Sequence, residues 1–232
     1  MNFHLFDRLS LDRCFSRYYN FLVNYNRCIN LTSVTEKKEF YIKHFLDSLM
    51  ITRFVELKGK IIDVGSGAGF PGVPLKIFDN SLEISLLDSS AKKTRFLEQL
   101  SDHLSLKFEI LNIRSEVLCR DLKFREKFDF CVSRAVASLD ILSEICLPLV
   151  KVGGSFVAMK GPNFETEVSR SKLLIGLLGG QITNVYKFSL PENFGERSLL
   201  EIKKIKKTPK KYPREYSEIK RLSNKSKNIA TL

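Results

Sequence analysis

A short apolar strand that runs straight into a glycine-rich loop limits this chain's architecture more than any other feature. Residues 60–64 (KIIDV) lead into Gly65-Ser-Gly67-Ala-Gly69-Phe-Pro-Gly72. Alternating glycines let the backbone turn tightly and let a ligand approach the main chain. At the carboxyl end of a parallel strand, such a loop marks the crevice where open α/β sheets bind ligands. The surrounding pattern agrees. Further β-rich runs fall at 83–88, 107–112, 128–133, 155–160, 182–189 and 199–205. Helical stretches separate most of them, at about 73–79, 91–102, 115–120, 138–150 and 164–178. Strands alternating with helices predict a doubly wound α/β sheet, seven-stranded and mostly parallel. Only Leu190 to Ser198, with Pro191 and Gly195, separates the last two strands. An antiparallel hairpin is therefore expected at one edge.

Residues 1–57 read as a helical extension, because Phe15, Tyr18, Tyr19, Leu22 and Tyr25 recur at helical spacing. Thr35 is the expected N-cap of a second helix reaching about Met50. Residues 58–207 form the α/β domain, and 208–232 a polar basic tail, expected to be a loose arm. The chain has 38 Lys+Arg against 26 Asp+Glu, a net charge of +12. From Lys203 to Leu232 there are 11 basic and two acidic residues, so the basicity belongs to the C-terminus. Clustered cations gain affinity for polyanions by releasing counterions from phosphates, although a solvated tail gives the same composition. No apolar run is long enough to span a membrane, and Asp7, Arg8, Asp12 and Arg13 stand where a signal peptide would be apolar. The five cysteines (14, 28, 119, 131, 146) have no C-x-x-C spacing, so most are expected to be small buried hydrophobes in a reducing cytoplasm, with no metal site. His4 and His103 show no partner pattern.

The loop admits two nucleotide readings. Gly67-x-Gly69-x-x-Gly72 fits the dinucleotide fingerprint of NAD(P) enzymes. Asp63-x-Gly65-x-Gly67-x-Gly69 fits the acidic, alternating-glycine loop that resembles S-adenosylmethionine (SAM) methyltransferases. Asp88 ends the second strand, where a carboxylate bonds ribose hydroxyls in either class. Asp63 favours the second reading, since an acid there suits a cofactor with a positive amino-acid end better than a pyrophosphate. A glycine-rich turn with no ligand is the plain alternative.

A wider set of motifs carries a resemblance. Asn30-Leu-Thr32 is followed by Tyr41-Ile-Lys-His44-Phe-Leu-Asp47-Ser48, then IDVGSGAGFPGVPL (62–75) and LLDSSAKKTRFL (86–97). Next come Asn112-Ile-Arg114-Ser-Glu116, Val132-Ser-Arg134-Ala135, Met159-Lys160-Gly161 and Gly195-Glu196-Arg197. In this order and spacing, from about Asn20 to Pro213, the set resembles the RsmG (GidB) family of bacterial small-subunit ribosomal RNA methyltransferases. After Arg214 the sequence departs from the usual family pattern. The resemblance implies a Rossmann-like, SAM-dependent methyltransferase fold. It also implies methylation of a guanine N7 in 16S rRNA, in a loop near the decoding site. The partner would be 16S rRNA, a 30S subunit or an assembly intermediate, and the protein is expected to be a monomer.

The same resemblance suggests roles. Asp63, Gly65, Gly67, Phe70 and Asp88 would hold SAM, with Gly69 close by. Ser115 and Glu116 would meet its adenine end, though an acid in a first helical turn is also ordinary. Arg134 would face the SAM carboxylate or the RNA. Arg114, Lys160 and Arg197, with Lys210 and Lys211 of the tail, could reach RNA phosphates. Asn30, His44 and Asp47 are candidates for the site wall, with scaffold roles equally open; His44 and Asp47 share a helix face. No nucleophile is expected, because guanine N7 carries a lone pair and no proton. Ser133-Arg134-Ala135 replaces the Asp/Asn-Pro-Pro-Tyr element of amino-group methyltransferases, and Cys131 lies inside an apolar strand. An NAD(P)-binding oxidoreductase and a noncatalytic RNA- or ribosome-binding module remain the competing classes.

Overall fold

The computed structural model describes Leu9, residues 12–162 and residues 164–229, with side chains through Asn224. His4 lies outside the described residues. Seven strands form one sheet: β1 (Lys60–Val64), β2 (Glu83–Leu87), β3 (Glu109–Leu111), β4 (Phe128–Arg134), β5 (Val150–Lys160), β6 (Gly180–Ser189) and β7 (Glu196–Lys204). Their order is 3-2-1-4-5-7-6. β7 runs antiparallel to both neighbours, as the short β6–β7 connection requires. The remaining pairs are parallel, and the order reverses between β1 and β4. Ligands bind such sheets beyond that switch point, where adjacent connections leave in opposite directions.

The N-terminal helices belong to the same core as the sheet. Helix α1 (Arg13–Asn26) begins where the Asp12 carboxylate accepts the Cys14 N–H, and it buries Phe15, Tyr18 and Leu22 along one stripe. These side chains pack with Phe45, Ile61, Phe96 and Leu199 on one face of the sheet. The next helix, α2, is irregular. It comprises Lys37–Phe40, a π-helical stretch Tyr41–Leu46, then Asp47–Leu49 and a 3-10 end Met50–Arg53. Its cap differs from expectation. Glu36, rather than Thr35, accepts the N–H groups of Lys38 and Glu39, because its longer side chain folds back over the first turn. α3 (Gly72–Phe78) and α4 (Ala91–Leu104) complete this face.

The opposite face carries α5 (Ser115–Leu118), α6 (Leu139–Cys146) and α7 (Glu165–Leu177). Here Ile62, Cys131, Leu142, Phe156 and Ile202 form a second apolar layer. The helix expected to reach residue 150 stops at Cys146; a 3-10 turn around Pro148 follows, and β5 starts at Val150. Among the described residues, no helix is long and apolar enough to cross a membrane.

The tail corrects the loose-arm expectation. Residues Tyr216–Ile229 form a helix, α8, and Tyr212 and Ile219 are buried in the second layer. Arg125 donates to the carbonyls of Thr208, Pro209 and Tyr212, pinning the segment that leads to it. Lys204, fully buried, donates to Leu147 O and Thr208 Oγ1, while Glu126 Oε1 accepts the Thr208 N–H. The Arg214 guanidinium grips Glu144 through Nε and Nη2, at 2.9 and 2.6 Å. Apart from the Lys204–Thr208 contact, these partners lie 57 or more residues apart in sequence, so local composition does not reveal them.

Candidate active site

The strand ends beyond β1, β2 and β4 open on a cavity of about 440 Å3, a size suited to a nucleotide-like ligand. A second cavity of about 380 Å3 lies toward β5 and β7. His44, Arg134 and Ala135 line both, so they form a shared wall.

The glycine loop builds the floor of the first cavity. The N–H groups of Gly65 and Ser66 both donate to Leu87 O, tying the loop to β2. Gly67 has φ +57° and points its N–H at Asp88 Oδ2, 3.0 Å away. The other Asp88 oxygen accepts the Ser90 N–H at 2.9 Å. Asp88 is thus held rigidly at the tip of β2, at the cavity edge. Lys93 Nζ stands 3.8 Å from it.

Two expected cofactor ligands lie elsewhere. Asp63 is completely buried beneath the loop and does not line the cavity. Its Oδ2 accepts the Gly72 N–H at 2.8 Å, so it organises the turn. A Cβ at position 72 would stand 2.9 Å from that oxygen, which is why only glycine fits there. Asp63 Oδ1 has no hydrogen-bond partner, and burial pushes the carboxyl up to about 7. Gly69 faces inward against Tyr18 and Val73 and is likewise absent from the lining.

Gly65, Gly67, Phe70, Asp88, Ser115, Glu116 and Arg134 do come together around the first cavity, with Arg114. Ser115 Oγ donates to Ile145 O at 2.6 Å, so its hydroxyl proton is engaged within the protein. Arg114, anticipated at the RNA surface, pairs through Nε with Glu116 at the cavity rim.

The shared wall is built by the π-helical stretch of α2. Arg134, at the end of β4, donates Nη1 to Lys43 O at 3.0 Å and to Asp47 Oδ2 at 3.1 Å. Its guanidinium lies 4.8 Å from the Phe70 ring centroid. Arg134 Nη2 approaches His44 Nδ1 at 3.3 Å, and the His44 ring stacks on Phe70 at 4.7 Å. Arginine only donates, so Nδ1 must accept and the imidazole proton sits on Nε2, 2.9 Å from Thr32 Oγ1. Burial, reinforced by the charges of Arg134 and Lys43, pushes His44 down to about 3, so the ring is neutral near pH 7. Asp47 is 4% exposed, and burial raises its carboxyl despite Arg134 and Arg197. Arg197 Nε lies 3.6 Å from Asp47 Oδ1. A π-helical stretch often marks a functional site; here it turns His44 and Asp47 toward Arg134.

Lys160 and Arg197 line the second cavity, with Lys43, Met159 and Phe188. Lys160 Nζ is held by Ala137 O at 2.9 Å and Glu167 at 2.7 Å. Lys210 and Lys211 are exposed but line neither cavity. Asn30 is exposed and outside both, while its neighbours Leu31 and Thr32 line the first. Asn26 shapes that loop: its Oδ1 accepts the N–H groups of Leu31 and Thr32. Thr32, Lys43, Ser66, Phe188 and Tyr216 were not anticipated as individual site residues. Thr32 was visible as part of the NLT motif; Tyr216 carried no signal because it lies in the tail.

Comparisons with known proteins bear on the family and the fold. Residues 12–200 match the family described as GidB, rRNA small subunit methyltransferase G. The ribosomal RNA small subunit methyltransferase G of Bacillus subtilis is 46% identical over 203 residues, covering 86% of this chain and 85% of that protein. The protein of the same name from Lactobacillus johnsonii is 45% identical, covering 87% and 86%. Among solved structures, M. jannaschii TYW2 in complex with AdoMet aligns with a TM-score of 0.54 at 10% identity, covering 75% of this chain and 80% of that one. A SAM-dependent O-methyltransferase from Thermotoga maritima aligns at 0.53 and 15% identity, covering 81% and 73%. At such identities the structures speak for a shared fold. The sequence matches go further: this chain belongs to the rRNA small subunit methyltransferase G family.

Proposed function

We propose that the protein transfers a methyl group from SAM to N7 of one guanine in 16S rRNA, in the loop near the decoding site. The carrying observation is the pair of cavities divided by a wall of His44 and Arg134. One chamber suits a nucleoside-bearing donor and the other a cationic-rimmed acceptor site. The family match favours this reading over a nicotinamide-dependent oxidoreductase.

The first chamber fits SAM by its chemistry. Gly65 and Gly67 provide main chain with no side chain in the way, and Asp88 provides a fixed carboxylate for a ribose diol. Glu116 and the apolar Ile113 suit an adenine edge and face. SAM, when bound, supplies an electrophilic methyl group on a sulfonium. The chain's own task is then to align the acceptor nitrogen and to exclude water.

The acceptor has no proton to lose, so the wall's role is to position rather than to deprotonate. Both His44 nitrogens are occupied, and Asp47 is gripped by Arg134 while facing Arg197. Arg134 and Arg197 hold the Asp47 carboxyl in position beside the acceptor chamber. Lys43, Lys160 and Arg197 give that chamber a cationic lining suited to the phosphates beside the target base.

The test uses ribosomal RNA from cells lacking the protein. Digestion and mass spectrometry should show loss of one N7-methylguanosine, and borohydride–aniline cleavage should map it to 16S rRNA. Wild type should restore it, whereas Asp88→Ala should not. An unchanged modification profile would refute the proposal.

A further inference from the structure

One wall of the first cavity comes from the C-terminal tail. Tyr216, in the first turn of α8, lines it beside Ile113 and Arg114. The Arg114 guanidinium carbon lies 4.1 Å from the Tyr216 ring centroid, and Arg114 Nε is held by Glu116. Glu116 is only 5% exposed, so this stack has a fixed base. The helix has a fixed position as well. Glu144, fully buried, accepts from the Arg214 main chain and from two guanidinium nitrogens. Ile219 is 3% exposed within the second apolar layer. Arg120 reaches Glu215 at 2.6 Å. α8 also lies beyond residue 200, where the match to the family model ends.

These contacts meet at the lining of the first cavity. Ile113, Val136, Ile145 and Tyr216 present apolar surface there, and Glu116 is the acid among them. A purine has apolar faces and an N–H-bearing edge, so this environment matches one closely. We propose that Tyr216, braced by Arg114, is a cofactor-binding residue that closes the cavity over the adenosine end, making the C-terminal helix part of the cofactor site. This inference rests on the SAM reading above. It assigns the tail a role distinct from grasping RNA. It also implies coupling: a ligand that contacts α8 must stabilise it against local opening.

The test is calorimetric titration of the full-length chain with S-adenosylhomocysteine, alongside thermal melts. Tyr216→Phe keeps the ring and should bind within about twofold of wild type. Tyr216→Ala should raise Kd roughly five- to tenfold, in line with loss of one aromatic contact, with a nearly unchanged Tm. Should Tyr216→Ala unfold, the wild-type chain still provides a second readout. Trypsin cleavage at the exposed Lys220 and Arg221 should slow when S-adenosylhomocysteine saturates the site. A folded Tyr216→Ala variant that binds as wild type does, or cleavage that ignores the ligand, would overturn the inference while leaving the SAM site standing. Failure of the wild type to bind S-adenosylhomocysteine would instead defeat the SAM reading itself.

Discussion

Half-buried His44 and fully buried Asp63 pull stability in opposite directions with pH. His44 titrates near 3 in the folded protein, well below an ordinary imidazole at 6.5. The unfolded chain therefore binds more protons between those values, and stability falls as pH drops from about 6.5 toward 3. His44→Gln should remove that loss, so the fall in Tm between about pH 7 and pH 5 should be smaller in the variant. Asp63 is the reverse case. Its folded value of about 7 lies above the ordinary 3.8, so the native state binds the extra proton in that window. Its contribution to stability declines as pH rises from about 4 to 7. Asp63→Asn can still accept the Gly72 N–H and carries no charge. Urea unfolding should therefore show the variant gaining on wild type by on the order of 2 kcal/mol between about pH 5 and pH 8. A constant difference across that range would mean that Asp63 does not titrate there. The loop's acidic residue was legible in the sequence, but its job was not. An acid before a glycine loop looks the same whether it meets a ligand or holds the turn, and only the Gly72 contact distinguishes them.

At the scale of elements, strands and crossover helices were legible because period and turn residues are local. The antiparallel edge pair was readable for the same reason, since Leu190 to Ser198 is too short for a crossover. Two elements were not legible. The π-helical stretch Tyr41–Leu46 leaves no compositional trace; it comes with the packing of Phe45 against Phe15, Tyr18 and Phe40 in the core. α8 escaped notice because its anchors are distant. Of these, the Arg214–Glu144 pair gives the clearest test. Glu144 is fully buried, and Arg214→Ala would leave that carboxylate without its main partner. A loss of about 3 kcal/mol is expected from urea unfolding. Truncating both side chains, as Arg214→Ala with Glu144→Leu, should recover part of it, because no unpaired charge then remains inside. Equal losses in the single and double variants would show that the pair itself, rather than the orphaned charge, governs anchoring.

For the whole molecule, the net charge of +12 overstates what an RNA can meet. Lys204 is buried between Leu147, Thr208 and Glu126, and Arg214 is paired with Glu144. Arg134 and Arg197 face Asp47, and Lys160 faces Glu167. Cationic surface is exposed at Lys206, Lys207, Lys210 and Lys211, along the segment between β7 and α8. The protein therefore divides its cations between two tasks: charges around the second cavity are held in position, and those on the tail are available for long-range attraction. The two groups should separate in a salt titration of 16S rRNA binding. Lys210→Ala with Lys211→Ala should weaken binding at low salt and lower the slope of log K against log[salt] by about two, if each lysine neutralises one phosphate. Affinity for S-adenosylhomocysteine should not change, since neither residue lines the first or the second cavity. Arg197→Ala should cost methylation rate instead, by roughly tenfold or more, with a slope change of at most about one, because its charge is held beside Asp47 in the second cavity. If the tail lysines left the slope untouched, the attraction would have to come from the cations around the second cavity instead.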